Sequence, residues 1–284
     1  MTIEIDFDAR DFAEKYERQP FILKHNLVNH PLFSYEKLIE AANRLPDEDI
    51  EFNAGDVDIV APEGKKPDHE LTPEETINRI REAKTWLGLK KIRQLPEYAE
   101  LLDEILDALQ PHIEPHYPGM HNREGFIFIT SPNSTVPYHM DPEHNFLVQI
   151  QGDKYFTIWD KADRDILPEE EIEHHYGQTN RKMVLPESAK NRGKTIHLQA
   201  GDAMHVPINS PHYVRNGDEV SISLSVTFQT PKSLQREIIY RVNRNIRKAG
   251  FSPTPYGTST ATDGMKLTTY RLYHLLRYQR PSAI

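Results

Sequence analysis

The stretch Val220-Ser221-Ile222-Ser223-Leu224-Ser225-Val226-Thr227-Phe228 alternates without a break, apolar at every even position and hydroxyl-bearing at every odd one. Successive side chains of a strand point to opposite faces, so this period of two predicts a β-strand with a dry face and a hydroxyl face. Seven more short strand candidates precede it between turn residues. They are GFIFIT from Gly125, YHMD from Tyr138, FLVQI from Phe146, KYFTIW from Lys154, KTIHLQ from Lys194, MHVPI from Met204 and HYV from His212. Eight short strands in about 105 residues suit a closed barrel or a two-sheet jelly roll. Gln151-Gly152-Asp153 predicts a tight hairpin between two of them.

Helical patterns flank this region. Ser34 can cap a helix that Pro46 stops, and Thr72-Pro73-Glu74-Glu75 combines an N-cap, Pro at N1 and Glu at N3. A third helix opens at Pro96 with Tyr98, Leu101, Leu102, Ile105, Leu106 and Leu109 on one face, and Pro111 is expected to end it. Strands are expected at residues 20–27 and 56–61. Beyond the barrel, Thr230-Pro231 starts a helix with Leu234, Ile238, Val242 and Ile246 in a stripe and Gly250 as its stop, and another helix surrounds residues 267–276. The predicted architecture is mainly β with flanking helices. Residues 1–231 are expected to form one domain, with an elaboration at 1–124 and a barrel core at 125–231. Residues 232–284 form a helical extension.

The net charge of −9 is unevenly spread. Residues 232–284 hold ten Lys/Arg against only Glu237 and Asp263, a basic tail on an acidic body. Such a tail is expected to pack on its own body or on a twin subunit. The basic helix at 232–248 shows no ladder of aromatics among its arginines, so nucleic acid is not an expected partner. No apolar run approaches the ~18 residues of a membrane span. The acidic start MTIEIDFDAR has no signal-peptide core, and a cytoplasmic location is expected. The absence of cysteine excludes disulfides, thiolate nucleophiles and thiolate-held metals, leaving His, Asp and Glu as metal ligands.

His139-Met140-Asp141 is such a pair, since residues i and i+2 of a strand share a face. A second imidazole would complete the two-His, one-carboxylate triad of non-haem Fe(II) sites. Among 14 histidines one such spacing carries little by itself, so its surroundings matter. Lys154, fifteen residues on, shares its strand face with Phe156 and Ile158. It either meets an anion inside the barrel or reaches water at a strand edge. From Gly201 to Val214 a turn, a strand and a Pro-rich turn lead to His212, which alone reads as a surface or hydrogen-bonded histidine rather than a ligand. His144 is expected on a loop, His174-His175 in a solvated acidic insert, and His197 and His205 in structural strand positions.

In order, these residues make the pattern H-x-D, a lysine fifteen on, then G-D-x-x-x-x-P-x-x-x-x-H-x-V before the alternating strand. Residues 125–230 thereby resemble the JmjC/cupin-type Fe(II)- and 2-oxoglutarate-dependent oxygenases, most of all the asparaginyl hydroxylase (factor-inhibiting-HIF-like) branch and its bacterial relatives. The resemblance implies a double-stranded β-helix core and a homodimer through C-terminal helices. It also implies hydroxylation of a protein side chain or a small molecule, with O2 consumed and 2-oxoglutarate decarboxylated to succinate. It assigns His139, Asp141 and His212 as iron ligands, Lys154 as the partner of the distal 2-oxoglutarate carboxylate, and Asn145 and Thr227 as polar cosubstrate-side positions. The chain departs from that branch at Val136, where a hydroxyl residue is expected. Thr135 should face away, as should Tyr138, and no tyrosine donor is evident. A metal-dependent cupin enzyme without a keto acid, and a non-catalytic ligand- or partner-binding barrel, stay open as alternatives.

Overall fold

A computed structural model describes residues 2–61, 64–177 and 183–278. Twelve strands occur among them: β1 Ile5–Asp6, β2 Phe21–His25, β3 Ile50–Ala54, β4 Thr85–Leu89, β5 His121–Thr130, β6 Thr135–His139, β7 His144–Gln151, β8 Asp153–Ile158, β9 Lys194–Gln199, β10 Asp202–Val206, β11 His212–Asn216 and β12 Ser221–Gln229. They form an eight-stranded sheet, ordered β1-β2-β10-β7-β12-β5-β4-β3, facing a four-stranded sheet, β6-β11-β8-β9. The eight strands expected from the sequence, β5 to β12, divide four and four between the sheets. The N-terminal half extends the larger sheet at both edges.

β12 lies between β5 and β7 and is buried on both faces. Its even residues join the main core, where α2 (Tyr35–Arg44), α3 (Pro73–Asn78) and α4 (Pro96–Ile113) cover the outside of the larger sheet. Its odd residues face the space between the sheets. The helix starts follow the sequence: Ser34 accepts from Lys37 N, and Thr72 and Glu75 form a reciprocal capping box. α6 (Pro231–Lys248) starts from Thr230, and α7 spans Thr260–Tyr278. Gly250 ends α6 at φ +87°, with Phe251 N bonded back to Ile246 O at 3.2 Å. No helix among the described residues is long and apolar enough to cross a membrane.

The structure corrects five expectations. Residues 56–61 are not a strand but bends and turns, with Asp58 accepting from Val60 N; the strand is β3, just before them. Pro111 does not end α4. It sits in the last turn, where one ladder bond is lost while Ile113 remains fully buried in the core. Gln151-Gly152-Asp153 is a corner between sheets rather than a hairpin: β7 pairs with β10 and β12, while β8 pairs with β9 and β11. Gly152 turns it at φ +68°, where a Cβ would collide with the Val220 carbonyl. The acidic insert is only partly solvated: Glu170 and His174 are exposed, but α5 (Glu169–His175) buries Ile172, Glu173 and His175, and Arg247 of α6 grips Glu173 at 2.7 and 3.1 Å. Finally, the stripe of Leu234, Ile238, Val242 and Ile246 is only half-buried, whereas Ser233, Arg236, Ile239, Tyr240 and Asn243 form the buried face of α6.

Candidate metal centre

His139 and His212 face each other across the smaller sheet, paired in register at the ends of β6 and β11 with ring centroids 4.2 Å apart. Asp141 lies two residues past His139, just beyond the strand. Its Oδ1 is 4.0 Å from His139 Nε2 and its Oδ2 is 3.8 Å from His212 Nε2. One ligand atom from each residue falls within 4.8 Å of the other two. His139 Nδ1 donates to Pro137 O at 2.7 Å and His212 Nδ1 to Ser210 O at 2.9 Å. A carbonyl can only accept, so each Nδ1 carries the proton and each Nε2 presents a lone pair inward. Burial, and next the neighbouring His139, push His212 down to about 4, which keeps its ring neutral near pH 7. Burial alone would raise Asp141, but His212, His139 and the Asn145 hydrogen bond outweigh it and hold the carboxyl below its ordinary range. Two neutral imidazoles and an ionised carboxylate around one point fit a divalent transition metal.

Asn145, near the start of β7, donates through Nδ2 to Asp141 Oδ2 at 3.2 Å and accepts from Ser225 Oγ at 2.8 Å. Thr227 is its register partner on β12. Lys154, on β8, is 3% exposed and donates to Ser223 Oγ at 2.8 Å. Burial pushes its ammonium down to about 7. No carboxylate lies within ion-pair distance of it among the described residues. A cavity of ≈ 290 Å³ is lined by all six residues singled out from the sequence: His139, Asp141, His212, Lys154, Asn145 and Thr227. Val136 also lines it, while Tyr138 points away and packs edge-on against Trp159.

Sequence reading missed the wall supplied by β3 and β4, where Glu51 and Trp86 face the cavity and Glu51 pairs with Lys90. The available signal was the alternation of residues 50–54, hidden by the charges preceding it. His144 is not a loop histidine. It opens β7, is wholly buried, stacks on Phe228 with centroids 4.6 Å apart, and lies on the face of β7 opposite Asn145. His205 is buried in β10, and His197 pairs with Asp153 on the surface of β9, so both lie in strands as expected.

The strand order and this cavity can now be set beside known proteins. Residues 115–235 match the JmjC domain. Among curated relatives, lysine-specific demethylase 8 of Danio rerio is 32% identical over 104 residues, 34% of this chain and 25% of that protein. HSPB1-associated protein 1 of Bos taurus is 23% identical over 158 residues, 52% of this chain and 33% of that protein. The chain thus spans a quarter to a third of these relatives' length. The X-ray structure of E. coli ycfD superposes with a TM-score of 0.56 at 18% identity, covering 99% of this chain and 70% of that one. YcfD, a ribosomal oxygenase from Escherichia coli, in complex with cobalt and 2-oxoglutarate, gives 0.52 at 17% identity over 96% and 68%. The two facing sheets are therefore a JmjC cupin-type barrel, extended by the N-terminal half.

Proposed function

We propose that this chain is an Fe(II)- and 2-oxoglutarate-dependent oxygenase that hydroxylates a protein side chain or a small molecule. The observation that carries the reading is one cavity holding both a converging His139/Asp141/His212 set and a buried lysine without a carboxylate partner. His139 Nε2, His212 Nε2 and an Asp141 oxygen would hold the iron and leave three positions open. Bound iron and keto acid would together supply the oxidising chemistry, in which O2 and 2-oxoglutarate give succinate and CO2 and the substrate C–H becomes C–OH. Lys154 Nζ pairs with the distal carboxylate of the cosubstrate. Ser223 Oγ holds that ammonium in place, and Asn145 Nδ2 steadies Asp141 Oδ2. The Phe126, Phe128, Phe156 and Trp86 side chains limit water around the reacting groups. A similar barrel with cobalt and 2-oxoglutarate, and another with cobalt and succinic acid, support the choice of ligands. Kinship with the asparaginyl hydroxylase branch is the finer reading and rests on the spacing of His139, Asp141, Lys154 and His212.

The proposed partner of the C-terminal helices is a second copy of the chain. Phe251, Met265, Leu272 and Leu275 are more than half exposed there, and the outer stripe of α6 is only half-buried. Four of the six basic residues of α6 are engaged within the chain, Arg241 with Glu237, Arg247 with Glu170 and Glu173, Lys232 over the Tyr117 ring and Arg236 by burial, which argues against a nucleic-acid surface.

Anaerobic addition of Fe(II) and 2-oxoglutarate should produce a visible charge-transfer band. Admitting O2 should then release succinate. A wild-type protein that binds Fe(II) but shows neither band nor succinate would remove 2-oxoglutarate from the proposal.

A further inference from the structure

Glu17 belongs to the N-terminal elaboration, between α1 (Ala9–Lys15) and β2, well outside the segment that matches the JmjC domain. Its backbone is held at φ +58°, a region that strains any residue bearing a Cβ, and its side chain is 3% exposed. A carboxylate buried this deeply requires partners, and four converge on it. His144 Nδ1 lies at 2.7 Å, Lys161 Nζ at 3.0 Å, the Ile208 backbone N–H at 3.0 Å and His205 Nε2 at 3.6 Å. Burial alone would raise the carboxyl, yet Lys161, His144 and His205 hold it well below its ordinary range, so it stays an anion.

The Ile208 contact is the consequential one. Ile208 lies in the loop between β10 and β11, and the next residues of that loop hold two of the three ligands of the metal centre. Asn209 N donates to the Asp141 carbonyl at 2.9 Å, and its side chain accepts from Tyr176 Oη at 2.8 Å. Ser210 O accepts from His212 Nδ1 at 2.9 Å and so fixes which nitrogen faces the metal. Asn209 adopts φ +62°, so the loop is bent tightly at the point where it grips Asp141. Partners behind metal ligands fix ligand direction, and losing them typically weakens metal binding about 10- to 100-fold.

We infer that Glu17 is a positioning residue for the metal centre: its carboxylate anchors the Ile208 amide and thereby sets the loop that aligns Asp141 and His212. The inference rests on the metal-binding reading of His139, Asp141 and His212. It makes the JmjC segment incomplete without the N-terminal elaboration.

The test is Mn(II) binding to the full chain, followed by loss of the free-ion EPR signal at a temperature where every variant is folded. Glu17→Ala should weaken Mn(II) binding about tenfold. Glu17→Gln keeps an oxygen for the Ile208 amide and should remain within about twofold of wild type, as should Lys161→Met, which leaves the acceptor intact. Should Glu17→Ala fail to fold, Glu17→Asp keeps the charge but withdraws the oxygen from Ile208, and it carries the same expected loss. Native affinity in Glu17→Ala or Glu17→Asp overturns the inference, as does a loss in Glu17→Gln equal to that of the shorter side chains. A wild-type protein that takes up no Mn(II) overturns the metal site itself rather than the role of Glu17.

Discussion

The two faces of β12 are equally buried and do opposite work. Ile222, Leu224, Val226 and Phe228 are each wholly buried in a dry core against helices and neighbouring strands. Ser223 and Ser225, one residue away, face the cavity side and are satisfied by Lys154 and Asn145. The first face gains stability by removing apolar area from water. The second holds hydroxyls, an amide and an ammonium at some cost to stability, in exchange for a place to bind. Burial alone therefore does not separate scaffold from site in this barrel; what matters is which side of the strand a residue occupies.

Breaking the cavity face should cost function far more than stability. The largest effect is expected from His139→Ala, which should abolish Co(II) binding and turnover while leaving the melting temperature of the metal-free protein within a few degrees. A cooperative unfolding collapse instead would show that the triad is part of the scaffold. On the opposite face, Leu224→Ala should lower unfolding free energy by about 3 kcal/mol in urea titrations, with metal affinity of the folded fraction unchanged.

Lys154→Met sharpens the contrast, because the two properties should move in opposite directions. Affinity for 2-oxoglutarate should fall about 100-fold by calorimetry, with Co(II) affinity unaffected. The metal-free variant should meanwhile be more stable at pH 7 by about 1–4 kcal/mol, since an apolar side chain replaces a buried, unpaired ammonium. The sign follows from the lowered value. With Lys154 at about 7 when folded and 10.5 when unfolded, the unfolded chain binds more protons between these limits. Wild-type stability from this group therefore rises with pH across that window, and the advantage of Lys154→Met should shrink toward pH 10. Binding of the dianion restores the proton, so 2-oxoglutarate affinity should weaken as pH rises above about 7, with proton uptake visible as buffer-dependent heat. The smallest effect belongs to Ser223→Ala, which removes one hydrogen bond to Lys154 and should cost about 1 kcal/mol of cosubstrate binding.

The alternation of β12 was legible because period two survives burial on both faces when the two faces differ in chemistry. The cavity residues were legible for a different reason: His139, Asp141, Lys154 and His212 say little singly, but their order and spacing, H-x-D, a lysine fifteen on and G-D-x-x-x-x-P-x-x-x-x-H-x-V, form one pattern. β3 and β4 were harder to read, because Glu51 and Trp86 face a cavity that only tertiary pairing creates. Gly152 shows a different limit. A glycine turn between strands fits a hairpin or a corner equally well, and only the partners of β7 and β8 distinguish them. The grip of Glu17 on Ile208 joins segments separated by most of the chain, and no local pattern announces such a contact.

The position of β12 also bears on how the molecule is made. It is the last in sequence of the described strands, yet it occupies the middle of the larger sheet, pairing with β5 and β7 on its two sides. Until residue 229 has left the ribosome, both of those neighbours present open edges and an unfilled core. Such edges invite pairing with other chains, and contacts this distant in sequence form slowly. A nascent chain stalled short of that strand should therefore be a client of holding chaperones, released only when the central strand slots in.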